Sequence, residues 1–311
     1  MPPHDTSPSV DEPAPRRIDA HASEVGGIRL RRALPGRTLR TVGAWCFLDH
    51  AGPARFPPGQ GMHVGPHPHI GLQTFTWMIE GELLHRDSLG SEQVVRAGQV
   101  NLMTAGRGIV HSEDQLADGG ALHAAQMWIA LPDAERHRAP AFEHHARLPV
   151  LDHDGITLTV LVGEALGMRS PVQVFTPLIG LDLHARSDVQ TLLPLEPAFE
   201  HAVLVLRGSA RVAGQALQPG TLLDLGRGRQ RVPLQCAAGS QVLVLGGAPF
   251  GPPPLLWWNF VARTQDEMEQ ALADWNSGDA RFGPVPGAAL PRLTAPSLAG
   301  VRLKTRSLSR P

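Results

Sequence analysis

From Leu72 onward the chain cannot run far without turning. Glycine-centred turns fall at Glu80-Gly81-Glu82, Ser88-Leu89-Gly90-Ser91, Ala97-Gly98 and Ala105-Gly106-Arg107-Gly108. The runs between them are short, and Leu72–Ile79 (LQTFTWMI) is rich in the β-branched and aromatic residues that strands favour. Gln93–Arg96, Val100–Thr104 and Ala124–Leu131 read the same way. Turn signals about every 8–12 residues leave no room for long helices and specify a sandwich, barrel or jelly roll. The punctuation persists along the chain: 33 glycines and 29 prolines are about a fifth of 311 residues, against roughly 12% ordinarily.

The pattern occurs twice. VVRAGQVNLM (Val94–Met103) resembles ALQPGTLLDL (Ala216–Leu225), with Gly98 matching Gly220, and Gly81 matches Gly208 with a different spacing between the turns, so the similarity is one of shape. Both halves are therefore expected to share one β architecture. The proline-bearing stretch Leu131–Pro140 reads as the link between them. This gives a first domain over 18–135, a second over 136–290, a disordered tail over 1–17 and a loose tail over 291–311. Met1–Arg17 is rich in proline and acid and lacks the apolar stretch of a signal peptide. The one clear helix is Thr264–Ser277. Thr264 and Glu267 form a capping box, Met268, Ala271, Leu272 and Trp275 recur on one face, and Gly278 is the stop.

Charge and cysteine usage narrow the function. A formal net charge of −1 argues against direct nucleic-acid binding. No apolar run reaches the roughly 20 residues of a membrane helix. Cys46 and Cys236 stand alone and read as buried apolar residues, so a reducing cytoplasm is expected. The absence of tyrosine excludes a tyrosine radical or phenolic base.

Histidine is the chemistry-bearing residue. Seven of the 15 lie between His50 and His123. Among them His67-Pro68-His69 is an HxH pair, and His111-Ser112-Glu113 an HxE pair. Residues i and i+2 of a strand share a face, roughly 6–7 Å apart. Two such strands side by side would present His67, His69, His111 and Glu113, a donor set suited to iron, nickel, copper, zinc or manganese. His63 and His85 are weaker candidates, as outer hydrogen-bond donors or rim residues. His144-His145 points its rings to opposite faces and reads as surface.

AWCFLDHAGP (Ala44–Pro53), HPHIGLQTFTWMIEGELLHRDSLG (His67–Gly90), MTAGRGIVHSED (Met103–Asp114) and LLWWNFVARTQDEMEQALADWNSGDARFG (Leu255–Gly283) resemble the signature segments of pirins, members of the cupin superfamily. The resemblance implies an all-β bicupin: two antiparallel jelly-roll barrels with a C-terminal helix. It also implies one mononuclear metal in the N-terminal barrel, held by His67, His69, His111 and Glu113. Fe(II) is the usual ion, and Ni, Cu, Zn, Mn or Co suit the same ligands. Where many pirins read HPHRGFET this chain has Ile70, Leu72 and Gln73, which alters the surroundings of the site. Counted from the matched glycines, Pro194, Glu196, Pro233 and Gln235 stand where the first half has its ligands, so the second barrel is expected to be metal-free and structural.

The implied activity resembles quercetin 2,3-dioxygenase. Glu113 would be ligand and general base, and dioxygen and a small aromatic molecule the substrates. Phe47, Trp77, Met103 and Trp128 are the expected pocket lining. The alternative is a non-enzymatic iron-binding regulator or redox sensor acting through a protein partner, as animal and some bacterial pirins suggest. A monomer is expected.

Overall fold

The computed structural model describes residues 12–116 and 119–304. Residues 1–11 of the tail expected over 1–17, and residues 305–311 of the tail expected over 291–311, lie outside the described residues.

Each half forms a seven-stranded and a four-stranded antiparallel sheet. In the first half the large sheet has the order 141–145, 100–104, 72–80, 120–130, 45–56, 28–34, 21–25, and the small sheet 63–69, 109–114, 82–87, 92–96. In the second half the large sheet runs 16–19, 221–226, 200–207, 241–247, 178–185, 156–162, 150–153, and the small sheet 189–194, 231–236, 210–212, 215–217. The two halves are thus alike strand for strand, as the internal repeat implied. Gly81 and Gly208 take positive φ at the corresponding turns, 90° and 72°, a conformation that favours glycine.

Two strands cross the expected domain boundaries. Arg16–Asp19 pairs with Thr221–Gly226 in the second barrel, and Ala141–His145 pairs with Val100–Thr104 in the first. Each supplies an edge that its host sheet would otherwise leave open. The first barrel therefore extends past residue 135, and the N-terminal tail is docked from Glu12, whose carboxylate pairs with Arg229.

The barrels pack through their large sheets. Leu72–Met78 is buried at every position because both faces of that strand are covered. Thr76 points into the first barrel. Phe75 and Trp77 point out, joining Met127 and Ile129 against Leu204, Leu243 and Leu245 of the second barrel. Trp45 crosses this contact, its indole N–H shared by the carbonyls of Gly246 at 3.1 Å and Ile179 at 3.3 Å.

The chain then returns to the first barrel. A hairpin, Leu255–Trp257 with Phe260–Ala262, leads into the helix Gln265–Ser277. Thr264 Oγ1 caps its start at Glu267 N, and Gly278 ends it at φ 74°. The buried helix face, Met268, Ala271, Leu272 and Trp275, packs on Ile70 and Val110 of the first barrel. The segment expected to be loose from residue 291 is docked as far as Leu303, whose N–H donates to Gln265 Oε1 at 3.0 Å. Leu293 N donates to Pro66 O at 2.9 Å, and Leu298 is buried. A tail rich in proline has few backbone donors to satisfy, so it can lie along a surface without forming a sheet. Among the described residues no helix is long and apolar enough to cross a membrane.

Candidate metal centre

The strands His63–His69 and Ile109–Asp114 are antiparallel neighbours with His111 opposite His67. This register places three imidazoles together at the inner face of the first barrel. One donor atom from each of His67, His69 and His111 lies within 4.8 Å of the others, and Nε2 of His69 is 3.1 Å from Nε2 of His111. All three side chains are buried.

The Nδ1 atoms are held from outside. His67 Nδ1–H donates to Gly65 O at 2.9 Å, and His69 Nδ1–H to Asn259 O at 3.0 Å. A carbonyl can only accept, so both rings are fixed as the tautomer whose Nε2 carries a lone pair. His111 Nδ1 meets His85 Nδ1 at 3.3 Å, and His85 Nε2 meets Asp87 Oδ2 at 3.0 Å. The Asp87 carboxyl, pushed up by burial, is pulled net downward by His85 and the Ser91 amide, so it accepts as a carboxylate. His85 thereby links the His111 ring to the Asp87 carboxylate.

Burial keeps these three imidazoles neutral. It lowers His67 to about 4 and takes His69 and His111 well below the ordinary histidine value, with neighbouring imidazoles adding to the effect. Three neutral imidazoles with converging Nε2 atoms fit a single divalent metal ion. The chemistry of the donor set does not distinguish one first-row ion from another.

Glu113 lines the same cavity and is buried, but its carboxylate is not in the cluster of donors. The register between the two strands shifts between His111 and Glu113, so that Glu113 faces Val64. The extra residue of this bulge lies on His63–His69, so His111 and Glu113 keep their i, i+2 relation on one face while Glu113 is set opposite Val64 rather than a histidine. Burial, and then Asp114, pushes the Glu113 carboxyl up to about 7.

The cavity above the imidazoles has a volume of about 610 Å³. One wall is aromatic. Phe47 and Trp128 stack at 3.9 Å between centroids with 11° between planes, and His69 meets the edge of Trp128 at 5.3 Å. Arg32 lies 4.5 Å over Phe47 and forms a two-pronged pair with Asp49 at 2.7 and 2.6 Å. Gln126 Oε1 accepts from Thr76 at 2.7 Å, which commits its oxygen and leaves its amide hydrogens available. Leu290 and Leu293 close the other side.

Two expected lining residues are elsewhere. Trp77 follows inward-facing Thr76, so strand alternation turns it outward into the contact between barrels. Met103 is 1% exposed and packs against Phe47 and Trp128 as part of the core beside the cavity. Phe47 and Trp128 do line it. The sequence reading missed Asp49, Gln126 and Arg32. The first two carried a usable signal, since each lies two residues from Phe47 or Trp128 on the same strand face. His63 is half-exposed, pairs with Asp114 at 3.1 Å and borders the cavity. His144 bonds Asn101 Oδ1 at 2.7 Å, away from the imidazole cluster. In the second barrel, Leu192 stands opposite Pro233.

Comparison with known proteins agrees with this architecture. Residues 27–129 match the family model described as Pirin, and residues 180–283 that described as Pirin C-terminal cupin domain. A Pseudomonas aeruginosa protein provisionally named quercetin 2,3-dioxygenase is 52% identical over 91% of this chain and 90% of its own. A pirin-like protein of Caulobacter vibrioides is 40% identical over 84% of this chain and 92% of its own. The crystal structure of quercetin 2,3-dioxygenase from Acinetobacter baumannii superposes with a TM-score of 0.91 at 50% identity, covering 93% of this chain and 97% of that one.

Proposed function

The chain belongs to the pirin family, and from that premise we propose that it is a mononuclear metal-dependent dioxygenase opening a flavonol-like aromatic substrate, with Fe(II) as the metal. One observation carries the reading: the three imidazoles and a stacked aromatic wall share one cavity of about 610 Å³. That volume lies within the roughly 300–1,000 Å³ range of small-molecule sites.

His67, His69 and His111 would hold the ion, and Glu113 is assigned as the fourth ligand of the resting protein. When bound, the ion supplies Lewis acidity and electron exchange with dioxygen. The residues around it do the rest. The Phe47–Trp128 wall receives the flat face of the substrate. The Gln126 amide donates to a substrate oxygen, and the Arg32–Asp49 pair fixes the far end of the cavity. Glu113 accepts the proton of the substrate hydroxyl at a carboxylate oxygen, raising the electron density of the ring that is to be cleaved. Both oxygen atoms enter the product, so the reaction requires no external reductant.

The test is an oxygen-electrode assay of Fe(II)-loaded protein with quercetin, followed by the loss of the flavonol's visible absorbance. Oxygen uptake matched to substrate loss, and abolished in His111→Ala, is the expected result. No turnover with iron, nickel, copper, manganese or cobalt would overturn the reading. The relatives' names and the cavity's aromatic lining support it together.

A further inference from the structure

The residues that follow the second barrel do more than pack on the first. We infer that the turn Trp258–Asn259 is a positioning element for His69, so that the C-terminal segment completes the metal centre of the opposite barrel. This rests on reading the three imidazoles as a metal site.

Three observations point the same way. First, Asn259 O is the acceptor for His69 Nδ1–H at 3.0 Å, across 190 residues of sequence. Second, Trp258 has φ 52°. A left-handed backbone at a residue as bulky as tryptophan is costly and persists only where its surroundings impose it. Its ring is held edge-on by Phe260 at 5.7 Å between centroids and lies 6.2 Å from Trp275. Third, the ligand strand is shaped to receive this segment. Gly65 and Gly71 bracket His67 and His69. A Cβ on Gly71 would collide with Val261 O, and one on Gly65 with Pro291 O. The two strands then join directly: Ile70 bridges Phe260, and Val261 N donates to Ile70 O at 3.2 Å.

The consequence is chemical. With Nδ1 held as a donor, the His69 Nε2 lone pair is fixed toward His111 before any ion arrives. Without the carbonyl the ring is free to rotate and to exchange tautomers. Outer-sphere partners of this kind are worth about 10–100-fold in metal affinity. The group that acts is a backbone carbonyl, so the Asn259 side chain is irrelevant and the left-handed turn is what counts.

The experiment compares three variants of the full chain loaded with Co(II), by chelator competition and by the ligand-field absorption of the bound ion. Trp258→Gly keeps the turn, because glycine adopts positive φ freely. Asn259→Ala keeps the carbonyl. Both should bind with native affinity and show the native spectrum. Trp258→Val opposes the left-handed turn, because a β-branched residue resists it. It should lose about 10–100-fold in affinity and show an altered spectrum. ¹⁵N-histidine NMR of the unsubstituted, metal-free protein needs no variant to fold, and should show His69 protonated at Nδ1 only. A native spectrum and affinity in Trp258→Val, an equal loss in Asn259→Ala, or protonation of His69 at Nε2 would each overturn the inference. If His67→Ala strips Co(II) while Trp258→Val does not, the positioning role falls and the metal site stands. If His67→Ala retains Co(II), the site itself falls.

Discussion

Replacing Asp182 by Asn should stabilise the protein above neutral pH and lose part of that advantage in mild acid. Asp182 lies on Leu178–Ala185, 4% exposed, with Gln241 Nε2 at 2.9 Å from both carboxylate oxygens. Burial raises its carboxyl from 3.8 to about 6, and the Gln241 hydrogen bond offsets only part of that. The folded state therefore binds the Asp182 proton more tightly than the unfolded chain does. Its favourable contribution is complete below the unfolded value and is lost as pH rises through about 6. A difference of about two units is ~3 kcal/mol at 1.36 kcal/mol per unit, and it weighs against the ionised form. The Asp182→Asn substitution would remove that cost, and with a melting entropy of roughly 2.1 cal/mol/K per residue the gain at pH 8 is about 4 °C. At pH 5, one unit below the folded value, the unsubstituted protein recovers about 1.4 kcal/mol, so the advantage shrinks by about 2 °C. Scanning calorimetry of both proteins from pH 5 to 8.5 measures the difference directly, and effects common to both cancel. A variant that is less stable by the same amount at every pH would refute the reasoning. It would mean that Asp182 is ionised throughout and is held by its hydrogen bonds.

Acid should act in the opposite sense through the buried histidines. His50, His123 and His201 are lowered by burial to about 3, 4 and 4; their neutral forms stabilise the fold fully above about 6.5, and that contribution is lost as pH falls toward 4. The cost is on the order of several kcal/mol, read as a falling melting temperature between pH 6.5 and 4. His85→Ala removes the support behind His111 and should weaken metal binding about 10–100-fold with the circular dichroism spectrum unchanged. Leu293→Asp places a charge on the apolar side of the cavity, and should raise KM for an aromatic substrate about tenfold, the equivalent of roughly 1.4 kcal/mol, while metal content stays native.

The architecture and most of the centre were legible locally. Glycine turns and short apolar runs carry their own geometry, so both barrels and the capped helix follow from nearby residues. His67, His69 and His111 follow from strand alternation alone. Glu113 obeys the same rule and lines the cavity, but the bulge at Gly65 and Pro66 on the neighbouring strand sets it opposite Val64, and that bulge has no distinct signature in composition. Trp77 was assigned to the pocket by side-chain type, whereas its parity relative to Thr76 sends it to the second barrel. Asn259, Trp258 and Leu293 were beyond reach for another reason. They approach the site only after the chain has built a whole second barrel, and no periodicity relates residues 190 apart. The strand exchange of Arg16–Asp19 and Ala141–His145 is hidden likewise, because each strand pairs with a partner outside its own stretch of sequence.

The central claim is that three imidazoles on two neighbouring strands hold one metal ion. Elemental analysis of the purified protein, beside His67→Ala and His144→Ala, tests it most directly. One equivalent of a divalent metal per chain in the native protein and in His144→Ala, with none in His67→Ala, is the predicted result. Equal metal content in all three proteins would contradict it.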